Sequence, residues 1–218
     1  PADAIYIRTA DDLIDLAANG SADTYSLGKT FILENDIDLS GQTFTSIPIF
    51  AGTFEGNGHC ITGLSIRASG SDLGFFRFVE KDAVIRNLTV SGEIFPEGDM
   101  ERIGGIAGTN RGRIENCIFK GSILAKRMGG GIAGLNEESG SIIGCENQGD
   151  LIVTKQAGGI AGKNDGSISG CKNRSGINMT GQAVSEFIDE NPIVLMQEGA
   201  LAGDVNKVTD IGGIAGRN

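Results

Sequence analysis

The pentapeptide GGIAG occurs four times along the chain, at residues 104–108, 130–134, 158–162 and 212–216. Successive copies begin 26, 28 and 54 positions apart, and the last interval is twice 27. Each copy is followed, two residues later, by an asparagine: Asn110, Asn136, Asn164 and Asn218. A recurring period of this length is the signature of a repeat fold, so the pentapeptide predicts stacked coils of nearly constant cross-section.

A second phrase recurs between the pentapeptides and indicates what each coil contains. It reads IENCIFKGSI (114–123), IIGCENQGDL (142–151) and ISGCKNRSGI (168–177), with earlier variants ITGLSIRASG (61–70) and IRNLTVSGEI (85–94). Apolar and polar residues alternate within it, which is typical of short strands. Glycine, at 35 of 218 residues, interrupts the chain too often for helices. We therefore predict an all-β fold, a parallel β-helix (solenoid) of about six to seven coils with two or three sheets.

Two kinds of residue are expected to form ladders inside the solenoid. Aligning the second phrase defines one apolar slot, occupied by Leu64, Leu88, Cys117, Cys145 and Cys171. The recurring asparagines are expected to stack and to bond to their copies through their side-chain amides. Cysteines in the slot would be small buried thiols, and we expect all four, Cys60 included, to be free. A disulfide is the alternative, although stacked parallel side chains have poor S–S geometry.

The start of the chain predicts a cap over the first coil. Thr9 is suitably placed to cap a short helix over residues 11–18. One face of this helix is apolar and would lie on the first coil: Leu13, Leu16 and Ala17. We assign residues 1–30 to the cap and 31–218 to the β-helix, as a single domain. The chain stops inside a repeat, so we expect a piece of a longer protein, truncated at its C-terminal end.

Several phrases in a fixed order resemble the GLUG-motif repeat proteins of bacterial cell surfaces. They are TADDLIDLAANG near the start, then DIDLSG, GTFEGNGHCITGLSI and DLGFF, and finally the repeated GGIAGxNxGxIxxC. The resemblance covers nearly the whole chain and implies a β-helix on an exported bacterial protein, beside adhesive, wall-binding or protease modules. It implies no catalytic residues. The family's G-L-x-G phrase reads Gly74-Phe75-Phe76-Arg77 here, so we expect a differently shaped corner.

The stretch from about 178 to 211 breaks the repeat. Ile177 and Gly212 are 35 positions apart, whereas the equivalent step from Ile123 to Gly130 takes seven. The segment is either a lateral excursion or a degenerate coil. We favour an excursion, because residues 185–199 lack the glycine rhythm of the repeat and only 13 positions separate Gly199 from Gly212. Loops on rigid scaffolds often carry binding. Its apolar residues are the candidate ligand contacts: Phe187, Ile193, Val194, Leu195 and Met196. The simpler interpretation is that they hold the loop against the stem.

The titratable residues predict no cofactor or metal site. His59, the only histidine, lies in the corner phrase GNGH and is assigned a turn-stabilising role. Zinc usually needs cysteine pairs closer together or histidine partners. Calcium could be held by Asp36 and Asp38 or by the acidic connection at 93–101, but the spacing matches no calcium motif.

The positions of the carboxylates test for a glycan-active β-helix enzyme, which would need acids at equivalent outward positions of adjacent coils. The outward slot next to the apolar ladder is mixed: Ser65, Thr89, Ile118, Glu146 and Lys172. One connection is crowded with acids, which we interpret as a solvated loop: Glu93, Glu97, Asp99 and Glu101. No catalytic residue is therefore predicted.

The charge and hydropathy of the chain restrict the classes of partner that it can bind. The formal net charge is −10, which disfavours nucleic acid, and no apolar run is long enough for a membrane helix. We predict a non-catalytic stem or adhesion module of a bacterial exported protein, extracellular or at the cell surface, and monomeric. Its partner would be a host or environmental glycan or an extracellular protein. The alternatives are a glycan-active β-helix enzyme and an accessory region of a larger surface protease.

Overall fold

The computed structural model describes residues 4–97, 101–153, 155–177 and 210–217. Over these residues the chain winds through about six turns of a parallel β-solenoid, which confirms the predicted fold. A complete turn contributes strands to four parallel sheets rather than to two or three. The chain visits these sheets in a constant order, in which they are numbered 1 to 4.

Sheets 1 and 2 have seven strands each. Sheet 1 contains β1 (Ala4–Ile7), β2 (Thr30–Leu33), β5 (Thr53–Glu55), β9 (Val84–Arg86), β13 (Arg113–Glu115), β17 (Ser141–Ile143) and β22 (Ser167–Ser169). Sheet 2 contains β3 (Ile37–Asp38), β6 (Cys60–Ile66), β10 (Thr89–Ile94), β14 (Ile118–Ala125), β18 (Glu146–Asn147), β19 (Asp150–Val153) and β23 (Lys172–Asn173). Strands β18 and β19 belong to one turn, and both pair with β14.

Sheets 3 and 4 are formed largely by the GGIAG copies and the residues beside them. Sheet 3 contains β7 (Asp72–Leu73), β11 (Arg102–Gly104), β15 (Met128–Gly130), β20 (Gln156–Gly158) and β24 (Asp210–Gly212). Sheet 4 contains β4 (Ile47–Phe50), β8 (Phe76–Val79), β12 (Ala107–Asn110), β16 (Ala133–Asn136), β21 (Ala161–Asn164) and β25 (Ala215–Arg217). All pairings between turns are parallel, as the repeat predicts.

The predicted capping helix is present as α1 (Ala10–Asn19), followed by a short helix α2 (Asp23–Ser26). The amide of Asp12 donates to Thr9 Oγ1 at 3.3 Å, and the amide of Thr9 donates to Asp12 Oδ2 at 2.9 Å. This reciprocal pair is a capping box and satisfies two backbone donors at the helix start. The predicted apolar face is buried, at Leu13, Leu16 and Ala17. Strand β1, which lies in the cap region and pairs with β2, was not predicted.

Two glycines of the pentapeptide let sheets 3 and 4 meet at a sharp corner. A Cβ added to Gly108 would lie 2.8 Å from the Cβ of Asp72, on the sheet 3 strand of the preceding turn. A Cβ added to Gly105 would lie 2.2 Å from Cγ of the Phe119 ring across the core. A side chain at either position would push packed groups apart, so Gly105 and Gly108 are required by the close approach of neighbouring turns.

The interior of the first turns is aromatic. Five buried phenylalanines pack there with ring centroids 5.0 to 6.2 Å apart: Phe31, Phe50, Phe54, Phe75 and Phe76. Pairs in tilted and edge-to-face arrangements of this kind contribute about 0.5–1.5 kcal/mol each beyond the burial of their surface. The cap and the first turns therefore share one large apolar core.

Further along the axis the interior contains polar ladders. The position of Val79 is occupied in the next three turns by Asn110, Asn136 and Asn164. Asn110 Nδ2 donates to Asn136 Oδ1, and Asn136 Nδ2 donates to Asn164 Oδ1, each at 2.8 Å. The predicted asparagine ladder is confirmed over these three residues, and Asn218 lies outside the described residues.

A second asparagine ladder was not predicted. Asn147 Nδ2 donates to Asn173 Oδ1 at 2.8 Å. These residues continue the inward column of Val90 and Phe119 in sheet 2. Both ladders replace apolar side chains with amides that bond to one another, so the buried polar atoms are paired as a low-dielectric interior requires.

The apolar slot of the second phrase is confirmed from Leu88 onward, and the position given to Leu64 is wrong. Leu88, Cys117 and Cys145 are buried in successive turns, and Cys171 is half-buried. Leu64 is also buried, but it pairs with Gly92, because β6 carries one extra residue that shifts its register against β10. The same shift pairs Ser65 with Glu93 instead of Thr89.

The corner at Gly74-Phe75-Phe76 differs from the later corners, as expected. Leu73 pairs with Ile103, and Phe76 pairs with Ala107, so the earlier corner contains one residue fewer. Phe75, at this shorter corner, is fully buried.

Candidate functional site

The candidate ligand contacts in the irregular stretch lie outside the described residues: Phe187, Ile193, Val194, Leu195 and Met196. The same holds for the choice between an excursion and a degenerate coil over 178–209, which stays a prediction. Among the described residues, the most completely bonded polar cluster lies at the corner between sheets 3 and 4, and its centre is Asp72.

Asp72 is fully buried. Among the residues that the structure describes, no other charged residue is buried. Asp72 begins β7 and stands beside Arg102 of β11 in the next turn. Arg102 donates from Nε to Asp72 Oδ1 at 2.7 Å and from Nη2 to Asp72 Oδ2 at 3.0 Å. The hydroxyl of Thr109 donates to Oδ1 at 2.5 Å, and that of Ser71 donates to Oδ2 at 2.6 Å.

The environment of Asp72 keeps it ionised. Burial alone would raise its pKa, but the hydrogen bonds from Arg102, Ser71 and Thr109 and the charge of Arg102 outweigh this effect. The pKa of Asp72 is therefore held below its ordinary value. A carboxylate with both oxygens doubly hydrogen-bonded has neither a proton to give nor a free lone pair for a substrate. The cluster is suited to joining two turns and two sheets.

Sequence reasoning missed this cluster. Asp72 was quoted only as part of DLGFF, and Arg102 precedes the first GGIAG copy without belonging to it. The usable signal was the period itself, because aligning Leu73 with Ile103 places the aspartate beside the arginine. An acid and a base at equivalent positions of adjacent coils predict an ion pair across the turns.

Arginine–carboxylate pairs between turns recur over the surface. Seven arginines contact an acid 26 to 31 positions away: Arg8–Glu34, Arg67–Glu93, Arg86–Glu55, Arg102–Asp72, Arg111–Glu137 with Glu80, Arg127–Glu101 and Arg174–Glu146. The donor–acceptor distances lie between 2.5 and 3.1 Å. Exposed pairs of this kind contribute about 0–1 kcal/mol each, so their effect on stability is cumulative.

The outward acids do not form a column. Thr89, Ile118, Glu146 and Lys172 occupy one outward position in successive turns, as predicted, and Cys60 rather than Ser65 precedes them. In the acidic connection, Glu93 contacts Arg67, Glu101 contacts Arg127, and Asp99 lies outside the described residues. These described acids are neutralised by neighbours, whereas the paired carboxylates of a glycosidase face a common substrate.

The three cysteines of the apolar slot form a ladder. The amide of Cys117 donates to Cys145 Sγ, and the amide of Cys145 donates to Cys171 Sγ, each at 3.4 Å. Hydrogen bonding to the neighbouring thiol raises the pKa of Cys145 and of Cys171, and burial adds to the effect. The thiolate form needed for attack or metal binding is therefore disfavoured. The four cysteines are free thiols in this structure.

His59 lies against an aspartate at the surface. Its Nδ1 is 3.0 Å from Asp36 Oδ1, which also accepts the amide of Cys60 at 2.9 Å. The amide hydrogen bond from Cys60 and the contact with His59 lower the pKa of Asp36. Asp38 Oδ1 accepts the amide of Ser40 at 2.8 Å. Over the described ranges no group of three or more His, Cys, Asp or Glu residues could hold a metal ion, and the absence of a cofactor stays a prediction.

No family model matches the chain. It is 30% identical over 144 residues to Halomucin of Haloquadratum walsbyi, covering 58% of this chain and 2% of that protein. It is 34% identical over 101 residues to a protein of Evansella cellulosilytica provisionally named a Gly-rich membrane protein, covering 41% of this chain and 12% of that protein. The chain thus spans a small fraction of the length of these relatives.

A solved structure shares the fold. A Bacteroides ovatus protein provisionally named an immunoglobulin A1 protease superimposes with a TM-score of 0.72 at 20% identity. The match covers 99% of this chain and 62% of that chain. Such identity supports the solenoid architecture alone. In the described part of this chain, none of the helices has the length and apolar character needed to cross a membrane.

Proposed function

We propose that the chain is a non-catalytic stem or adhesion module of a bacterial exported cell-surface protein. The observation that carries this proposal is the parallel pairing of each described turn with the next in all four sheets, in which β6 against β10 shows a shift of one residue. Neighbouring turns are joined by parallel backbone pairing and by arginine–carboxylate pairs, and the later turns also by internal amide ladders. Such a chain makes a stiff rod that holds attached segments at a distance.

The described surface has few exposed apolar side chains and the chain is acidic, which supports an extracellular role. Large apolar side chains are exposed at three described positions, Tyr6, Leu27 and Ile214, so little of this surface favours self-association. The net charge of −10 favours solubility and disfavours anionic partners. One relative bears the name of a membrane protein, and the resemblance to GLUG-motif repeat proteins agrees with a cell-surface location.

Recognition in this proposal belongs to the irregular stretch and to exposed corners. A glycan or extracellular protein would bind there while the turns themselves remain unchanged, because loops can vary without disturbing the strand register. The module would act as a monomer, without a cofactor and without inserting into the membrane.

The test replaces residues 185–198 by a short Gly-Ser linker. Both proteins are screened against immobilised glycans and extracellular matrix proteins, and glycan cleavage is followed in parallel. A control variant replaces the exposed loop at 41–43 with Gly-Ser-Gly. Binding that is lost only in the linker variant, without cleavage, is the expected result. Cleavage by the intact chain would contradict the non-catalytic proposal.

A second candidate is an accessory region of a larger surface protease. It is favoured by the structural neighbour, whose provisional name is that of a protease and which extends beyond the matched part. In this case the isolated chain would bind neither glycans nor matrix proteins, but adding it to a protease domain of the same protein would lower the KM for a protein substrate.

A further inference from the structure

The corner between sheets 4 and 1 changes length from turn to turn. Val79 and Asn110 are equivalent positions at the end of sheet 4, and Val84 and Arg113 are equivalent positions at the start of sheet 1. Four residues therefore connect the sheets at 80–83, but only two do so at 111–112. In the following turn the connection at 137–140 again has four residues. The short corner thus lies between two longer ones, and the surface is notched.

The notch is a cleft of about 290 Å³, close to the lower end of the range of about 300–1,000 Å³ for ligand sites. Its floor is the short corner, and its walls are the longer corners of the two neighbouring turns. The lining residues used below are Lys81, Asp82, Val84, Arg111, Arg113 and Ser141. The cleft therefore has room for one ligand unit rather than for a chain.

The lining combines three cations with one acid, in a protein whose net charge is −10. Arg111 is neutralised by Glu137 and Glu80, and Arg113 contacts Glu115 within its own strand. The exposed Lys81 ammonium, the exposed Asp82 carboxylate and the Ser141 hydroxyl make no hydrogen bond or ion pair with any other described residue. The notch thus presents unused donors and an unused acceptor in one small space.

We propose that this notch binds a sugar residue that bears one carboxylate, as uronic and sialic acids do. The carboxylate is taken by Lys81 and by the guanidinium N–H groups of Arg113 that do not contact Glu115, through charge-assisted hydrogen bonds. Ser141 and Asp82 bond to ring hydroxyls, which can both donate and accept. The half-buried side chain of Val84 supplies a small apolar surface for the C–H face of the ring. This site does not depend on the stem role or on the irregular stretch.

Two observations favour a sugar over an acidic peptide. The amides of Arg111 and Arg113 already donate to Val79 and Ala83, each at 2.8 Å, so the corner offers no free edge for a peptide strand. The apolar side chains of the lining are only the buried Ala83 and the half-buried Val84, which offer little surface to a large peptide side chain. Asp82 at the rim disfavours multiply charged anions such as phosphate, but suits a monoanion with hydroxyl groups.

The experiment is a titration of the ¹⁵N-labelled chain with methyl β-D-glucuronide and N-acetylneuraminic acid. Methyl β-D-glucoside serves as the neutral control and N-acetyl-glutamate amide as the peptide-like carboxylate. We expect the acidic sugars to shift the amides of Gly112, Arg113 and Ser141 saturably, with the neutral glucoside binding about tenfold more weakly or worse.

Variants locate the binding. Lys81→Gln and Arg113→Gln should each weaken acidic-sugar binding about tenfold, as the loss of one charge-assisted hydrogen bond predicts. Lys120→Gln removes an exposed lysine of sheet 2, away from the notch, and should leave the affinity unchanged. Melting curves confirm that each variant is folded.

Three results would overturn the proposal. The first is the absence of saturable shifts at the notch amides with either acidic sugar. The second is equal binding of the neutral glucoside, which would remove the role of the carboxylate. The third is tighter binding of N-acetyl-glutamate amide than of both acidic sugars, which would assign the notch to acidic peptides. None of these results affects the linker-variant test of the stem, so the two proposals can fail separately.

Discussion

Replacing Asp72 by asparagine keeps the shape of the side chain and removes its charge. In the native cluster both carboxylate oxygens accept from Arg102, at 2.7 and 3.0 Å. In the variant one oxygen becomes an amide NH₂, which cannot accept from the guanidinium. The hydroxyl of Ser71 can rotate and accept from the new NH₂, but Arg102 has no acceptor function. One charge-assisted hydrogen bond is lost, and two donors face each other.

The expected loss of unfolding free energy is about 3 kcal/mol, at the lower end of the range for breaking a buried ion pair. The lower end applies because the Arg102 side chain keeps 25% exposure and can turn toward Glu101, 3.5 Å away. For a chain of this size the loss corresponds to a decrease in melting temperature of roughly 6–12 °C.

The assay is chemical denaturation followed by circular dichroism, at pH 7 and at lower pH. Glu101→Gln is the matched control, since it removes an acid near the same arginine, but one whose side chain is 42% exposed. Its expected effect is below about 1 kcal/mol.

The pH dependence has a defined sign. Because the pKa of Asp72 is lower in the folded state than in the unfolded state, its contribution is complete above the unfolded value of about 3.9. The contribution is lost as the pH falls through the folded pKa. The difference between the native protein and Asp72→Asn should therefore be largest near pH 7 and shrink below about pH 4. A variant as stable as the native protein, or a difference independent of pH, would refute the reasoning.

Three further predictions test the packing. Thiol titration of the unfolded chain should find four free thiols, and in the folded chain the two fully buried cysteines should react slowest; fewer than four would mean a disulfide. Gly105→Ala should lower stability by about 1–3 kcal/mol because of the Phe119 ring. Gly213→Ala, at the same pentapeptide position but with no atom within 4 Å, should change little by comparison, and equal losses would contradict the account of the corner. Thr9→Ala should cost about 1 kcal/mol by removing the helix cap, measured as a change in the denaturation midpoint.

The repeat period was sufficient to predict the solenoid, because a coil that returns to the same slot every 24 to 29 residues must place equivalent residues side by side. The same logic predicted the ladder from Asn110 to Asn164 and the burial of Cys117 and Cys145. The cap of α1 at Thr9 was predicted on other grounds, because helix capping depends on the local sequence.

The errors arose where register depends on one residue. The extra residue of β6 shifts Leu64 from the slot of Leu88 to a position beside Gly92. Alignment of apolar letters cannot detect such a bulge, because both positions are buried. The number of sheets was underestimated for a related reason. Sheets 3 and 4 are separated by only the corner at Gly105 and Ile106. Because the pentapeptide spans this corner, its sequence does not show that it belongs to two sheets.

The candidate sites were predicted least well. The Asp72 cluster brings together residues from three separate strands and connections, and only the alignment of turns reveals it. The notch at 111–112 is likewise a difference between neighbouring corner lengths. Neither feature is contained in a local motif, so catalytic and metal-binding sequence patterns do not reveal them.

The pairing between turns also determines how the protein responds to force. The backbone hydrogen bonds and the arginine–carboxylate pairs that join the turns all point along the solenoid axis. Bending or twisting is resisted by four sheets together. A pull on the two ends loads every boundary between turns equally, so the weakest boundary separates first. Each detached turn of 28 residues, as between Arg113 and Ser141, would release roughly 90 Å of chain. We therefore expect a molecule that is stiff at rest and lengthens under tension in steps of about one turn.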